Sequence, residues 1–211
     1  MDADFWHRKW AKDEIGFHES EVNPLLLKHF ADLALAQGSR VFVPLCGKTL
    51  DIHWLLSEDY RVVGVELSRL AVEQLFAELG IEPAVSACGP FERFSGPGVD
   101  VFVGDFFELS VALLGPVDAI YDRAALVALP PSMRQRYAAH LTAITARAPQ
   151  LLICFEYDPK LMQGPPFAIA GEEVARHYHG SYTLTLLDRV EIPGGFKGRI
   201  PATESIWLLA W

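Results

Sequence analysis

Arg40 to Glu66 reads RVFVPLCGKTLDIHWLLSEDYRVVGVE, and the alternation inside it decides the fold. Its ends, Arg40–Val43 and residues 61–65 (RVVGV), are short runs rich in apolar and β-branched side chains, which suits strands buried on both faces. Residues 49–57 (TLDIHWLLS) carry helical spacing, and Pro44–Lys48 is the loop that leads into them. Strand, loop, helix, strand is a βαβ unit, and its two strands must lie parallel.

The same alternation continues outward. Upstream, residues 22–36 are apolar at helical spacing, with Asn23–Pro24 as the helix start. Downstream, Ser68 caps a helix that runs to about Leu79. Strands are expected at 99–103, 117–121 and 151–155, a helix from Pro130–Pro131 to about Arg147, and a short helix near 171–178. The last two strands, about 182–192 and 204–211, flank the Gly/Pro-rich Pro193–Pro201 and form a hairpin. Segment 80–98, dense in Gly and Pro, reads as one strand with a small irregular insertion. The expectation is an α/β, Rossmann-like fold. It has a seven-stranded, mostly parallel sheet, helices on both faces and an antiparallel C-terminal hairpin.

The chain's 211 residues suit a single domain over 1–211, and 51% hydrophobic with 21% charged residues is a globular profile. A net charge of −9 with no basic run argues against nucleic acid and anionic membranes as partners. No apolar stretch approaches the roughly 20 residues a membrane helix needs. The opening MDADFWHRKW has no apolar signal region, so a cytoplasmic protein is expected. Cys46, Cys88 and Cys154 are too widely spaced for a disulfide framework or a C-x-x-C metal pair. Of seven histidines none forms H-E-x-x-H, and His177 and His179 read as surface residues rather than metal ligands. Nothing resembles a coiled coil, so a monomer is expected.

In a parallel sheet, ligands sit beyond the carboxyl ends of the strands. The loop VPLCGKT (residues 43–49) contains Gly-Lys-Thr, but Phe42 stands where a phosphate-binding P-loop needs glycine. A G-x-G-x-x-G dinucleotide motif is missing as well. One glycine before a helix start suits a nucleoside ending in an amino acid, such as S-adenosylmethionine, better than one ending in pyrophosphate. Glu66 closes the second strand, where an acidic side chain meets ribose hydroxyls. Phe106 and Phe107, after the next core strand, fit two roles: flanking an adenine or filling the core. Trp6 and Trp10 share a face if their segment is helical, and Trp10 offers a π face to a cation. Arg123 places a permanent cation at a strand end, free either to pair with a carboxylate or to favour a thiolate. Gly164-Pro165-Pro166-Phe167 is a stiff turn.

Several motifs together resemble the thiopurine S-methyltransferase family. They are FWHRKW (Phe5–Trp10) with Phe17-His18, VFVPLCGK (Val41–Lys48), VVGVE (Val62–Glu66), YDRAALVA (Tyr121–Ala128), YDP (Tyr157–Pro159) and GPPF (Gly164–Phe167). The chain is shorter ahead of them than animal members, which implies a bacterial one. The resemblance implies a class I methyltransferase fold and S-adenosylmethionine as cofactor, leaving S-adenosylhomocysteine. It implies Trp10 within an N-terminal segment (residues 1–20) covering the cofactor, Leu45 in contact with it, Glu66 on the ribose, Phe106 meeting adenine through its backbone, and Arg123 as the catalytic residue beside cofactor and acceptor. Arg199 is a weak match to a second arginine on the substrate side. The implied acceptor is the sulfur of thiopurines and related aromatic or heterocyclic thiols, with methylation of selenium or tellurium oxyanions, hence tellurium resistance, as a further role. A methyltransferase for another small molecule and a non-catalytic nucleotide-binding module are the alternatives.

Overall fold

The computed structural model describes residues 3–16 and 18–211. Its centre is the βαβ unit. Strands β1 (Arg40–Pro44) and β2 (Arg61–Glu66) pair in parallel, Val41 opposite Val62 and Phe42 opposite Val63. Helix α3 (Leu50–Ser57) crosses between them, capped by Thr49, whose Oγ1 accepts from the Asp51 N–H. Helix α4 (Arg69–Leu79) is capped by Ser68 in the same way.

Helix α1 (Ala3–Ala11) precedes this unit, as does α2 (Pro24–His29), where Asn23 Oδ1 accepts from the N–H groups of Leu25 and Leu26. The helix expected over 22–36 is shorter than its apolar spacing suggested. It tightens into a 3₁₀ turn at Phe30–Leu33 and stops at Ala34, which has left-handed backbone (φ 51°). Strands β3 (Ala84–Cys88), β4 (Phe91–Gly96), β5 (Val99–Val103), β6 (Ala119–Arg123) and β7 (Gln150–Tyr157) follow, with helices α5 (Val111–Leu114), α6 (Pro131–Ile144) and α7 (Gly171–Tyr178). Strands β8 (Thr183–Glu191) and β9 (Ala202–Ala210) form the final hairpin.

The sheet order is β3-β4-β5-β2-β1-β6-β7-β9-β8. The seven expected strands run from β5 to β8 in that order, and among the described residues the sheet has nine. The additional pair, β3 and β4, is an antiparallel hairpin on the β5 edge, formed where one strand and an irregular insertion were expected. Strand β3 is exposed along nearly its whole length, and its residues are mostly small (Ala84, Ser86, Ala87), so it lacks the bulky β-branched run by which the central strands are read.

Successive residues of the central strands point to opposite faces. Val41, Val43, Leu151 and Ile153 pack with α2, α3 and α4 on one side. Phe42, Leu152 and Cys154 pack with α6 and α7 on the other. The order in which the chain adds strands reverses between β1 and β6, which pair in parallel, and at this switch point a crevice opens beyond their carboxyl ends. No helix among the described residues is long and apolar enough to cross a membrane. His177, expected at the surface, instead packs with its side chain only 7% exposed and its Nε2 3.3 Å from Glu173 Oε1. His179, which caps the end of α7, is exposed.

Candidate active site

The loops after β1, β2, β5, β6 and β7 converge with the N-terminal segment on a cavity of about 530 Å³. That is within the usual size of small-molecule sites. Trp10, Leu45, Glu66, Phe106 and Arg123 all line it, so the structure brings together the five residues singled out in the sequence.

The first loop is tightly built. Leu45 (φ 47°) and Gly47 (φ 53°) both have left-handed backbone, uncommon for a leucine and easy for glycine. The Cys46 N–H donates to Val65 O (3.1 Å), tying the loop to β2. Gly64 of β2 makes room for this: a Cβ there would lie 2.8 Å from Cys46 Sγ. Above the loop, Trp10 is 5% exposed, and a Cβ on Gly47 would lie 3.1 Å from its ring. Helix α1 therefore rests its indole on the bare backbone of the first loop.

Glu66 joins the two loops. Its Oε2 accepts from the Gly47 N–H (2.9 Å) and its Oε1 from the Ser68 N–H (2.8 Å). Burial pushes its carboxyl above the usual carboxylate range, and these backbone donors hold it back down. Each oxygen has a second lone pair left to accept from a ligand. Phe106 is a core residue by its side chain, buried with its ring 4.9 Å from Tyr137 and 5.1 Å from His140. Beside it, Asp105 Oδ1 accepts from the Phe107 N–H (2.9 Å) and fixes the turn.

Strand β6 ends in three consecutive polar side chains, Tyr121, Asp122 and Arg123. Arg123 is 8% exposed, with Nη2 3.6 Å from Glu19 Oε1 and Nη1 3.9 Å from Asp51 Oδ2. Its Nε is buried without a hydrogen-bond partner among the described residues. Asp51 is 1% exposed and accepts from the Asn23 N–H (2.8 Å) and the Tyr121 hydroxyl (2.9 Å). On the other face, Asp122 accepts from the Tyr137 hydroxyl (2.8 Å), Gln150 Nε2 (3.3 Å) and the Leu126 N–H (3.2 Å). Burial pushes the Asp122 carboxyl up to about 6. Ala124, next along, is again left-handed (φ 65°), so a non-glycine residue is held in a costly conformation on each side of the crevice.

Strand β7, the loop after it and the segment after β8 contribute rings to the lining: Phe155, Pro165, Pro166 and Phe196. The Gly164–Phe167 turn is fastened there by the Phe167 N–H to Val127 O (2.7 Å) and by the Tyr157 hydroxyl to Pro166 O (2.6 Å). Arg199 does not line this cavity; it borders a smaller pocket with Leu161 and Met162. Lys197 is the cation that the same loop contributes to the main cavity. Sequence reasoning missed Asp51, Tyr121, Glu19 and Lys197. Each works through a partner distant in the chain, and no local spacing announces it. Phe17 lies outside the described residues.

S-adenosylmethionine fits these residues. A buried carboxylate with lone pairs to spare suits a ribose, the indole over the glycine loop suits a sulfonium, and the orphaned Arg123 Nε–H suits an acceptor such as the carboxylate of the amino-acid end.

The thiopurine S-methyltransferase family model matches residues 1–197. The chain is similar to the thiopurine S-methyltransferase of Xanthobacter autotrophicus, 57% identical over 210 residues and covering 99% of each chain. It is 54% identical over 210 residues to that of Teredinibacter turnerae, covering 100% of this chain and 98% of the relative. Among solved structures it resembles the Burkholderia thailandensis 1,6-didemethyltoxoflavin-N1-methyltransferase, which holds 1,6-didemethyltoxoflavin and S-adenosylhomocysteine. The TM-score is 0.68 at 16% identity, covering 99% of this chain and 87% of the other, a likeness of fold.

Proposed function

This chain belongs to the thiopurine S-methyltransferase family and is an S-adenosylmethionine-dependent methyltransferase, and on that premise we propose that its methyl acceptor is the sulfur of an aromatic or heterocyclic thiol, thiopurines included. One observation carries this reading: Arg123 lines one cavity together with Glu66 and with the rings of Phe155, Phe196, Pro165 and Pro166. The rings and prolines suit a flat apolar acceptor better than a strongly hydrated selenium or tellurium oxyanion.

When bound, the cofactor supplies a methyl group on a sulfonium centre. The protein holds it through Glu66 on the ribose, Leu45 and the Phe106 backbone along its length, and Trp10 over the first loop. The whole chain acts as one domain, with residues 1–20 as the covering segment. The Arg123 guanidinium acts as a fixed positive charge that favours the thiolate form of the acceptor. Asp51 and Glu19 flank its guanidinium and set its direction. Holding both reactants in line in a dry cleft provides most of the acceleration open to such a displacement.

Calorimetric titration with S-adenosylhomocysteine, with ATP and NAD as controls, tests the cofactor site. Turnover of 6-mercaptopurine against selenite, tellurite and amine or phenol acceptors tests the rest. Methylation of 6-mercaptopurine alone is expected; preference for an oxyanion, an amine or a phenol would overturn the sulfur assignment.

A further inference from the structure

One titratable group in the cavity has no part in the reaction as derived so far. His18 lies between α1 and α2, its backbone N–H donating to Ile15 O (2.7 Å), and its half-buried side chain lines the cavity together with Arg123 and Lys48. Lys48 belongs to the first loop, assigned above to the cofactor, and Arg123 to the end of β6, assigned above to the acceptor, and both act electrostatically on His18. His18 therefore faces one residue from each half of the proposed site.

Resting on the sulfur-acceptor reading above, we propose that His18 accepts the proton of the incoming thiol. The other side chains in the cavity that could accept a proton are poorly placed for this. Glu14 is paired with Lys9 (2.7 Å). Glu66 is held by two backbone donors, Asp105 caps the Phe107 N–H, and Tyr137 donates to Asp122. Burial pushes the Cys46 thiol well above its usual range. Glu19 lies against Arg123, and a carboxylate is too weak a base for a thiol that ionises near neutrality. The groups facing His18 are Lys48 on the first loop, Glu78 on α4, Arg123 after β6 and its neighbour Glu19. Burial first, then Lys48, with a smaller part from Arg123, lower the imidazole's pKa, while Glu78 and Glu19 raise it. The ring is thus neutral at pH 7 and can take up a proton.

In the step, the thiol S–H bond breaks and its proton passes to an imidazole nitrogen, while the electron pair stays on sulfur. That pair forms the new S–CH₃ bond as the bond from methyl to sulfonium breaks, its electrons remaining on the cofactor's sulfur. The imidazolium then releases the proton to solvent. Arg123 stabilises the transient thiolate, as a cation beside an activated nucleophile does.

Two measurements test this. The first uses the complex with S-adenosylhomocysteine, which cannot turn over. Adding 6-mercaptopurine below the pH at which it ionises free in solution should convert the His18 imidazole signal in heteronuclear NMR to that of imidazolium, as the bound purine takes on thiolate absorbance. A neutral imidazole in the ternary complex overturns the proposal. The second compares His18→Gln with the unmodified chain, after confirming that the variant binds S-adenosylhomocysteine. With an acceptor still protonated at the assay pH, kcat/KM should fall about a hundredfold, the usual worth of a general base. The acid limb of its pH profile should also move up to the acceptor's own pKa. With a thiol already ionised the fall should be at least about tenfold smaller. Equal losses with both thiols, or an unmoved acid limb, overturn the assignment to His18 while leaving the sulfur reading intact. An unmodified chain that methylates no thiol overturns both.

Discussion

Replacing Glu66 with glutamine keeps the size of the side chain and removes its charge. In the folded chain each carboxylate oxygen accepts one backbone N–H, from Ser68 at 2.8 Å and from Gly47 at 2.9 Å. A carboxylate offers about four acceptor positions, which leaves about two for the vicinal hydroxyls of a ribose. The amide keeps one oxygen and must turn its NH₂ toward one of the backbone donors. A hydrogen bond to a charged acceptor contributes about 1.5–3 kcal/mol, so losing one ribose contact should weaken binding roughly 10- to 150-fold. Because the same side chain braces the first loop, a bare loss of affinity would not identify the ribose. The decisive assay is a cycle: calorimetric Kd of S-adenosylhomocysteine and of its 2′-deoxy analogue, each for the unmodified chain and Glu66→Gln. Deleting the hydroxyl should cost the unmodified chain the full factor and the variant much less, a coupling of more than about 1 kcal/mol. Equal losses in both proteins would refute the ribose assignment and leave Glu66 as a structural brace. Thermal unfolding of the ligand-free variant measures that brace separately, with an expected loss of about 1–3 kcal/mol, or roughly 2–4 °C per kcal/mol for a chain of this size.

Three other perturbations follow from the same geometry. Asp122 has a folded-state pKa raised from 3.8 to about 6, so its stabilising contribution is fully present below the lower value and lost as pH rises through the upper one. The change is on the order of 3 kcal/mol. Asp122→Asn abolishes that titration, and its urea midpoint should gain on the unmodified chain between about pH 4 and pH 6; a gap independent of pH would contradict the burial argument. Trp10→Ala should weaken S-adenosylhomocysteine binding on the order of tenfold or more, since an aromatic ring that covers a ligand contributes at least about 1.4 kcal/mol; unchanged affinity would mean that α1 only packs. Arg123→Ala should lower kcat for a thiol acceptor by more than it raises the Kd of S-adenosylhomocysteine, and a change confined to Kd would make Arg123 a binding residue alone.

The parts of the fold legible in sequence were those whose physics is local. Val41–Val43 and Val62–Val65 are buried on both faces and carry the apolar run this demands. Asn23 and Ser68 cap helices through N–H groups two or three residues away, which spacing alone reveals, whereas Thr49, read as the first helical residue, is a cap as well. The β3–β4 hairpin was hidden because β3 faces solvent and its pairing comes from β4 rather than from a buried face. The candidate site divides in the same manner. Glu66 and Arg123 stand at strand ends, where topology makes any polar residue conspicuous. Asp51 looks like one more acid in the first turn of a helix until Tyr121, 70 residues on, is found donating to it. Arg199 and Lys197 share one loop, and only its three-dimensional path separates the cation that enters the main cavity from the one that does not.

The order of the last strands bears on how the polypeptide reaches this state. Strand β9 is synthesised after β8 yet lies between β8 and β7, pairing with both in antiparallel register. Until Ala202–Ala210 has emerged from the ribosome, β8 has no place in the sheet, and the side of β7 that β9 will occupy presents open N–H and C=O groups. The first residues of β7, Gln150–Cys154, are the kind of apolar segment that recruits other chains when its edge is bare. A nascent or truncated chain lacking β9 would thus be exposed to aggregation at its centre rather than at its rim. The interval between translating β7 and translating β9 is when the chain is most open to pairing with another one.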